Sequence, residues 1–257
     1  MPAEHFDLRM RLAGGEPFLF SWLSIPSAAL AAQVARLPFD GVCLDMQHGM
    51  IGFSDAVPMI ANINAAGRPA MVRALWNDPA IPGQAFDAGA VCVISPMVNT
   101  RAQAEALVRA AKYPPMGARS WGGYTALQAS GLAPSEYLRE ANRMTMVFAM
   151  VETVEALENV EEIAATPGLD GLFVGPSDLS ITLSRGAGID KLGKETLAAM
   201  QRVSDAARKS GLVAGAFGGS AEVIKTYLGL GFTFLAAAVD VDLLQWGAAS
   251  LRKSLET

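Results

Sequence analysis

Short apolar runs alternate with longer amphipathic segments along the whole chain. The apolar runs are continuous, which is typical of parallel strands that are covered on both faces. They predict strands at residues 18–23, 41–44, 70–73, 91–94, 146–151, 171–174, 212–216 and 232–237. Helical periodicity lies between them, most clearly over residues 27–37, 101–112, 154–165, 195–210 and 221–230.

Eight strands that alternate with helices within 257 residues predict an α/β fold, a (β/α)8 or TIM barrel that spans residues 1–257 as a single domain. An open doubly wound sheet is the main competitor. The chain has no G-x-G-x-x-G turn after its first predicted strand, which disfavours that alternative. Residues 113–134 form the longest irregular stretch, and its richness in glycine and proline predicts a functional loop.

Composition narrows the class of protein. The chain is 51% hydrophobic and only 18% charged, which indicates a folded protein with surface hidden between subunits. Its net charge is −5 without a basic stripe, so we expect no nucleic-acid partner. No apolar stretch reaches the roughly 18 residues of a membrane span, and residues 1–11 lack the apolar core of a signal peptide. We therefore expect a cytoplasmic protein that does not contact the membrane.

The cysteines Cys43 and Cys92 both lie within apolar runs that predict buried strands. Reduced core cysteines are commoner than a disulfide in such positions. We expect two free thiols.

Polar residues follow the predicted strands, at the end of the barrel where active sites lie. We see no similar clustering at the opposite end. Glu152 and Asp178 follow two adjacent buried strands. Their carboxylates would repel each other unless a cation or a proton lay between them, and a hard divalent ion would satisfy both. Capping of the following helices is an equally open interpretation for each residue.

His48 follows a buried strand and precedes a glycine, which places it at the mouth of the barrel. It is either a catalytic group or an ordinary polar residue, and Asp45 could orient it. Arg73 ends an apolar strand and needs an anionic partner. A substrate carboxylate or enolate would serve, and so would an ion pair with Glu152 or Asp178.

The segment Gly175-Pro176-Ser177-Asp178 is typical of a helix start with exposed amides. Such a helix N-terminus binds anions through its free N–H groups and its dipole. No Walker-type lysine follows, so a small carboxylate fits this position better than a nucleotide.

The order and spacing of several segments resemble the HpcH/HpaI aldolases, which are class II pyruvate aldolases. The segments that carry this resemblance are residues 39–48 with Asp45-Met46-Gln47-His48, residues 72–78 with Trp76-Asn77-Asp78, residues 113–119, Val151-Glu152-Thr153 and residues 171–180. The resemblance implies a barrel like that of pyruvate kinase and phosphoenolpyruvate mutase. It also implies a homo-oligomer, in particular a hexamer, whose C-terminal helix is exchanged between neighbours.

The resemblance implies the following chemistry. Glu152 and Asp178 would bind Mg²⁺, Mn²⁺ or Co²⁺. The segment from Gly175 to Asp178, through the N–H groups of Ser177 and Asp178, would hold the carboxylate of pyruvate or a close 2-oxo acid. Arg73 would stabilise the enolate oxygen. No lysine follows any predicted strand, which speaks against a Schiff-base aldolase.

Three further roles follow from the resemblance alone. His48 would be the base that acts on the C4 hydroxyl group of the substrate. Asp87 would pair with that histidine from a neighbouring subunit, and Trp22 would line the aldehyde side.

This chain departs from the family pattern at two positions. Gln47 stands where an acidic residue usually precedes the histidine, and Met150 stands where many members have a glutamine. Both changes bear on substrate preference and metal affinity. Two alternatives to an aldolase remain: a decarboxylase of oxaloacetate-type diacids, and a non-catalytic barrel that binds a small acid.

Overall fold

The computed structural model describes residues 3–76 and 78–256. Asn77, which belongs to one of the matching segments, lies outside the described residues. Parallel strands pair in sequence order, and the first strand also pairs with the last, so the sheet is a closed barrel. The prediction of an α/β (β/α)8 TIM barrel is confirmed. The strands are β1 (Phe18–Leu23), β2 (Gly41–Asp45), β3 (Ala70–Arg73), β4 (Cys92–Ser95), β5 (Met146–Val151), β6 (Gly171–Val174), β7 (Val213–Phe217) and β8 (Phe234–Val239).

Helices surround the barrel and connect successive strands. They are α1 (Leu8–Leu12), α2 (Ala28–Val34), α3 (Phe53–Ala65), α4 (Ile81–Asp87), α5 (Arg101–Ala111), α6 (Tyr124–Ser130), α7 (Pro134–Met144), α8 (Val154–Glu158), α9 (Val160–Ala164), α10 (Pro176–Leu183), α11 (Lys194–Lys209), α12 (Ala221–Gly229) and α13 (Asp240–Ser254). No helix in residues 3–76 or 78–256 has the length and apolar character needed to cross a membrane.

Two of the predicted segments differ from the structure in kind, whereas the others differ at most in their end residues. Residues 113–134 are not irregular throughout, because they contain α6, which Gly123 precedes and Gly131 ends. Gly131 has a φ of 70°, the left-handed conformation that commonly ends a helix. The glycines therefore mark helix ends rather than a continuous loop. The helix predicted at residues 154–165 is divided into α8 and α9 at Asn159.

Aromatic rings fill the barrel interior. The ring centroids of Phe20 and Phe234 lie 4.5 Å apart, and those of Phe148 and Phe234 lie 4.9 Å apart. The interior has room for these rings because Gly171 carries no side chain, and a Cβ there would overlap the Phe148 ring. The interior is thus a packed core rather than a channel, as is usual for this fold.

Cys43 and Cys92 also lie in this core. Both are buried and free, which confirms the prediction of reduced thiols. Burial raises the pKa of each thiol well above its ordinary value, so both remain protonated at neutral pH.

A charged cluster closes the end of the barrel opposite the predicted site. The Lys112 ammonium group is fully buried and lies 2.8 Å from Asp170 Oδ2. It also donates to the carbonyl oxygens of Thr145 and Asn142, at 2.6 and 3.0 Å. Arg9 of α1 forms an ion pair with the same carboxylate. Our statement that polar residues do not cluster at this end was wrong, because the charges come from segments that are far apart in the sequence.

Asp170→Asn should lower the free energy of unfolding by about 3–5 kcal/mol, because it leaves the Lys112 charge buried without an anion. Lys112→Met should cost less, since Asp170 would keep Arg9 and the Val147 N–H, which donates to it at 2.8 Å. Urea unfolding of the two variants and the wild type measures this difference. Equal losses of unfolding free energy in the two variants would show that Asp170 does not stabilise the buried charge of Lys112 in this way.

Candidate active site

A cavity of about 230 Å³ opens at the carboxyl ends of the strands. It brings together most of the residues that the sequence singled out. Its lining residues are Trp22, His48, Arg73, Met150, Gly175, Pro176, Ser177, Asp178 and Phe217. Glu152 and Asp45 lie directly behind this lining, in contact with Gly175 and Arg73 respectively. Asp87 does not line the cavity.

Glu152 follows β5 and is 2% exposed. The Met97 N–H donates to its Oε2 at 2.9 Å, and its Oε1 lies 2.5 Å from the place where a Cβ of Gly175 would stand. Burial raises the pKa of Glu152 from the ordinary 4.5 to about 7; the nearby charge of Asp178 acts in the same direction, and the Met97 N–H acts against it. The ionised form therefore costs free energy in the protein by itself, and a bound cation would remove that cost.

Met97 was missed by sequence reasoning as a residue of this site. It is not a glycine, yet its φ is 56°, in the left-handed region that such residues seldom adopt. This conformation directs its amide toward Glu152. Only the preceding Ser95-Pro96 pair hinted at a sharp turn after β4.

Helix capping does not explain the two carboxylates. Thr153, rather than Glu152, caps α8, because its Oγ1 accepts from the Ala156 N–H at 3.0 Å. The residue at the N-cap of α10 is Gly175, and Asp178 lies exposed within the first turn. Neither carboxylate is used as a helix cap, so both remain available as ligands.

The N-terminus of α10 presents free amides to the cavity. The first hydrogen bond of the helix runs from the Leu179 N–H to the Gly175 carbonyl oxygen, at 3.0 Å. The N–H groups of Ser177 and Asp178 precede it and so have no partner within the helix. This arrangement suits the carboxylate of a small acid.

Arg73 has a different partner from the two that were left open. Its guanidinium group binds Asp45 through two hydrogen bonds, of 2.9 and 2.6 Å, and not Glu152 or Asp178. The two residues are neighbours in register on β2 and β3. Burial by itself would raise the pKa of Asp45, but the hydrogen bonds and the charge of Arg73 outweigh it and lower the pKa. The pair is therefore ionised, and it holds Arg73 over the Trp22 ring at 5.0 Å.

Asp45 also holds the loop that carries His48. Its Oδ1 accepts from the N–H groups of Gln47 and His48, at 3.0 and 3.2 Å. The carboxylate therefore orients the main chain at His48, and the imidazole itself is exposed. Gly49 is required next to it, because a Cβ there would overlap the Asp45 carbonyl oxygen.

One side of the cavity is apolar. Trp22 and Phe217 meet edge to face, with centroids 5.6 Å apart, and Met150 lies against Gly175. Sequence reasoning missed Phe217 because it placed the end of the seventh strand at residue 216, whereas β7 ends at residue 217. The Oε1 atom of Gln47 is buried and has no hydrogen-bond partner among the described residues.

Asp87 ends α4, outside the cavity, and its side chain is about one third exposed. The Arg119 guanidinium group donates to it at 2.6 Å and stacks over the Tyr113 ring at 4.4 Å. Within one chain, Asp87 is therefore a partner of Arg119. Its pairing with a histidine of another subunit stays a prediction.

The residues at this site fit a divalent cation with open positions. No group of three or more His, Cys, Asp or Glu side chains suited to a metal ion exists within residues 3–76 and 78–256. Glu152 and Asp178 would supply only two ligands, and water and substrate oxygens would complete the shell. Mg²⁺ and similar hard ions are commonly held in this way by one or two carboxylates.

Comparisons with known proteins find similar sequences and a similar fold. A model of the HpcH/HpaI aldolase/citrate lyase family matches residues 19–245. A hydroxypyruvate/pyruvate aldolase from Rhizorhabdus wittichii is 39% identical over 234 residues, which are 91% of this chain and 92% of that protein. A 4-hydroxy-2-oxo-heptane-1,7-dioate aldolase from Klebsiella pneumoniae is 32% identical over 240 residues, covering 93% of this chain and 90% of that one. The crystal structure of a protein of this family from Burkholderia cenocepacia superimposes with a TM-score of 0.87 at 32% identity, covering 97% of this chain and 99% of that one.

The raised pKa of Glu152 predicts how stability depends on pH without metal. The folded-state pKa of about 7 exceeds the ordinary 4.5, so the stability that the protonated group contributes is present below pH 4.5 and is lost as the pH rises through 7. Glu152→Gln, which stays neutral, should be more stable than the wild type by up to about 3 kcal/mol near pH 8. The difference should shrink toward about pH 5.

Urea unfolding at several pH values, with EDTA present, measures this difference. Glu155→Gln is the matched control, because Glu155 is exposed on the next helix. A stability difference for Glu152→Gln that does not change with pH would contradict the titration argument.

Proposed function

Because the chain belongs to the HpcH/HpaI aldolase/citrate lyase family, whose members similar to it are aldehyde-lyases, we propose that it is a divalent-metal-dependent class II aldolase. It reversibly cleaves a 4-hydroxy-2-oxo acid into an aldehyde and pyruvate or a close 2-oxo acid. Mg²⁺, Mn²⁺ and Co²⁺ are the ions we propose. The observation that carries the proposal is the buried Glu152 beside Asp178, two carboxylates that adjoin a cavity lined by Arg73 and His48.

The polar groups of the cavity suit a 2-oxo acid in the following orientation. Its carboxylate accepts from the free N–H groups of Ser177 and Asp178 at the start of α10. Its 2-oxo oxygen faces Arg73, which Asp45 holds in place. A divalent ion bound by Glu152 and Asp178 would supply Lewis-acid stabilisation of negative charge on that oxygen.

Cleavage then needs a base at the C4 hydroxyl group. His48 takes the hydroxyl proton, directly or through water, while the C3–C4 bond breaks and its electron pair moves into the enolate of pyruvate. Arg73 stabilises the enolate oxygen, and C3 finally takes up a proton to give pyruvate. The aldehyde leaves along the apolar side formed by Trp22 and Phe217.

Chelation should abolish cleavage, and Mn²⁺, Co²⁺ or Mg²⁺ should restore it. Glu152→Ala and Asp178→Ala should each remove most of the activity, because each deletes a ligand.

Gly175→Ala should weaken Mn²⁺ binding by about 10- to 100-fold, since the added methyl group displaces Glu152 without removing it.

Titration calorimetry with Mn²⁺ measures the binding, and a coupled pyruvate assay measures the cleavage. Gly188→Ala is the matched control, because nothing lies within 4 Å of a Cβ at that glycine. Activity that survives EDTA, or a pyruvate adduct trapped by borohydride, would refute metal dependence.

His48→Ala should lower the rate of aldol cleavage by about 10²- to 10⁴-fold, the usual contribution of general-base catalysis. Decarboxylation of oxaloacetate should fall much less, because it forms the same enolate without a C4 hydroxyl group. Deuterium exchange into the methyl group of pyruvate should also fall less. Equal losses in all three assays would contradict this assignment.

We also propose a homo-oligomer, in particular a hexamer with an exchanged C-terminal helix, whose sites are shared between subunits. Leu244, Trp246 and Leu251 of α13 are 57%, 49% and 65% exposed, an apolar surface that a neighbour would cover. Mixing His48→Ala subunits with Asp87→Ala subunits, after dissociation and reassembly, should recover part of the activity. No recovery in mixtures that have exchanged subunits would show that Asp87 does not act across the interface.

A further inference from the structure

Asp240 is a buried carboxylate at the carboxyl end of β8. It is the first residue of α13 and is 1% exposed. Its Oδ2 accepts from the N–H groups of Ser24 and Ile25, at 3.0 and 2.9 Å, and its Oδ1 accepts from the Ser24 hydroxyl group at 2.8 Å. No cationic side chain pairs with it in the part of the chain that the structure describes. Its bonding is directed instead at the segment that follows β1.

That segment supports the loop that carries His48. The Ser24 carbonyl oxygen accepts from the Met50 N–H at 2.9 Å. Gly49 packs on the same residue, and a Cβ there would lie 3.0 Å from Ser24 Cα. The His48 loop is thus held at two points, by Asp45 on one side of the histidine and by Ser24 on the other.

The imidazole of His48 depends on these main-chain contacts. It has no side-chain hydrogen bond to any residue within the described ranges, and it is exposed. Its position in the cavity is therefore set by the loop backbone. A displacement of about 1 Å at a reacting group costs on the order of 100-fold in rate.

We propose that Asp240 is a positioning residue for His48, acting through Ser24 and the Met50 amide. This inference rests on the proposed function, because it needs His48 as the base. If Asp240 only stabilised α13, its substitution would have different effects. Asp240 also accepts from the Val241 N–H at 2.9 Å, and loss of that contact alone would weaken α13 and leave the chemistry unchanged.

The test compares Asp240→Asn, Ser24→Ala and a control, Asp242→Asn. Asp242 lies in the same first turn of α13 but has no hydrogen bond to the segment after β1 among the described residues. Each full-length variant is assayed with Mn²⁺ for aldol cleavage and for oxaloacetate decarboxylation. Circular dichroism verifies that each one is folded.

We expect Asp240→Asn to lower kcat for aldol cleavage by about 10- to 100-fold and to leave KM and decarboxylation within about twofold of the wild type. Ser24→Ala should act in the same direction by a smaller factor, and Asp242→Asn should change neither reaction. In a His48→Ala background, Asp240→Asn should cause no further loss of cleavage, because the group it positions is absent.

Equal losses in cleavage and decarboxylation, or an additional loss in the His48→Ala background, would overturn the inference. If Asp240→Asn does not fold, Ser24→Ala carries the same comparison, since it removes only one hydroxyl group. A wild-type protein that catalyses neither reaction would refute the proposed function instead. The two failures are therefore distinguishable.

Discussion

Closure of the parallel barrel is the constraint on which the rest of this protein depends. All eight strands run in the same direction, so their carboxyl ends meet around one opening. Residues that are more than one hundred positions apart, such as His48 and Asp178, thereby line a single cavity. The aromatic rings packed in the barrel interior close the bottom of this cavity, and charged groups that lie against them are poorly solvated.

Buried charges are paired differently at the two ends of the barrel. At the amino ends of the strands, the Asp170 carboxylate pairs with both Lys112 and Arg9, and main-chain carbonyl oxygens accept from the Lys112 ammonium group. At the carboxyl ends, Arg73 and Asp45 are paired in the same way, but Glu152 has no cationic partner within hydrogen-bond distance among the described residues. The buried charges at one end are thus paired within the fold, whereas the other end keeps a buried carboxylate whose ionised form a bound cation would stabilise.

The departures at positions 47 and 150 have a physical consequence at the cavity. Gln47 is neutral, so the negative charge of this region comes from Asp45, Glu152 and Asp178, and Asp45 is already balanced by Arg73. Met150 brings a thioether against Gly175, where a glutamine would offer an amide. Met150 lines the cavity, so the wall beside Glu152 is apolar at this position.

The sequence by itself determined the barrel and singled out most of the residues that line the cavity at its carboxyl end. Continuous apolar runs indicate that a strand is buried on both faces. They predicted the first and last residues of β1, β3, β5 and β6 correctly. The polar residues that follow the predicted strands had to lie near the opening, which singled out His48, Glu152 and Asp178 as candidates without knowledge of their neighbours. Local sequence patterns are sufficient for these predictions, because the burial of a strand and its direction follow from the residues of that strand and its neighbours in the sequence.

Only the tertiary structure decided which groups are partners. Arg73 pairs with Asp45 because strand register makes them neighbours, whereas the sequence had suggested Glu152 or Asp178 as its partner in the chain. The same holds for Lys112 with Asp170, for the Met97 amide on Glu152, and for Asp240 on Ser24. A buried charged or polar residue needs a hydrogen-bond or ionic partner, and this need can be predicted from the sequence. Which residue is the partner depends on distances across the fold, and these cannot be read from the periodicity of the chain.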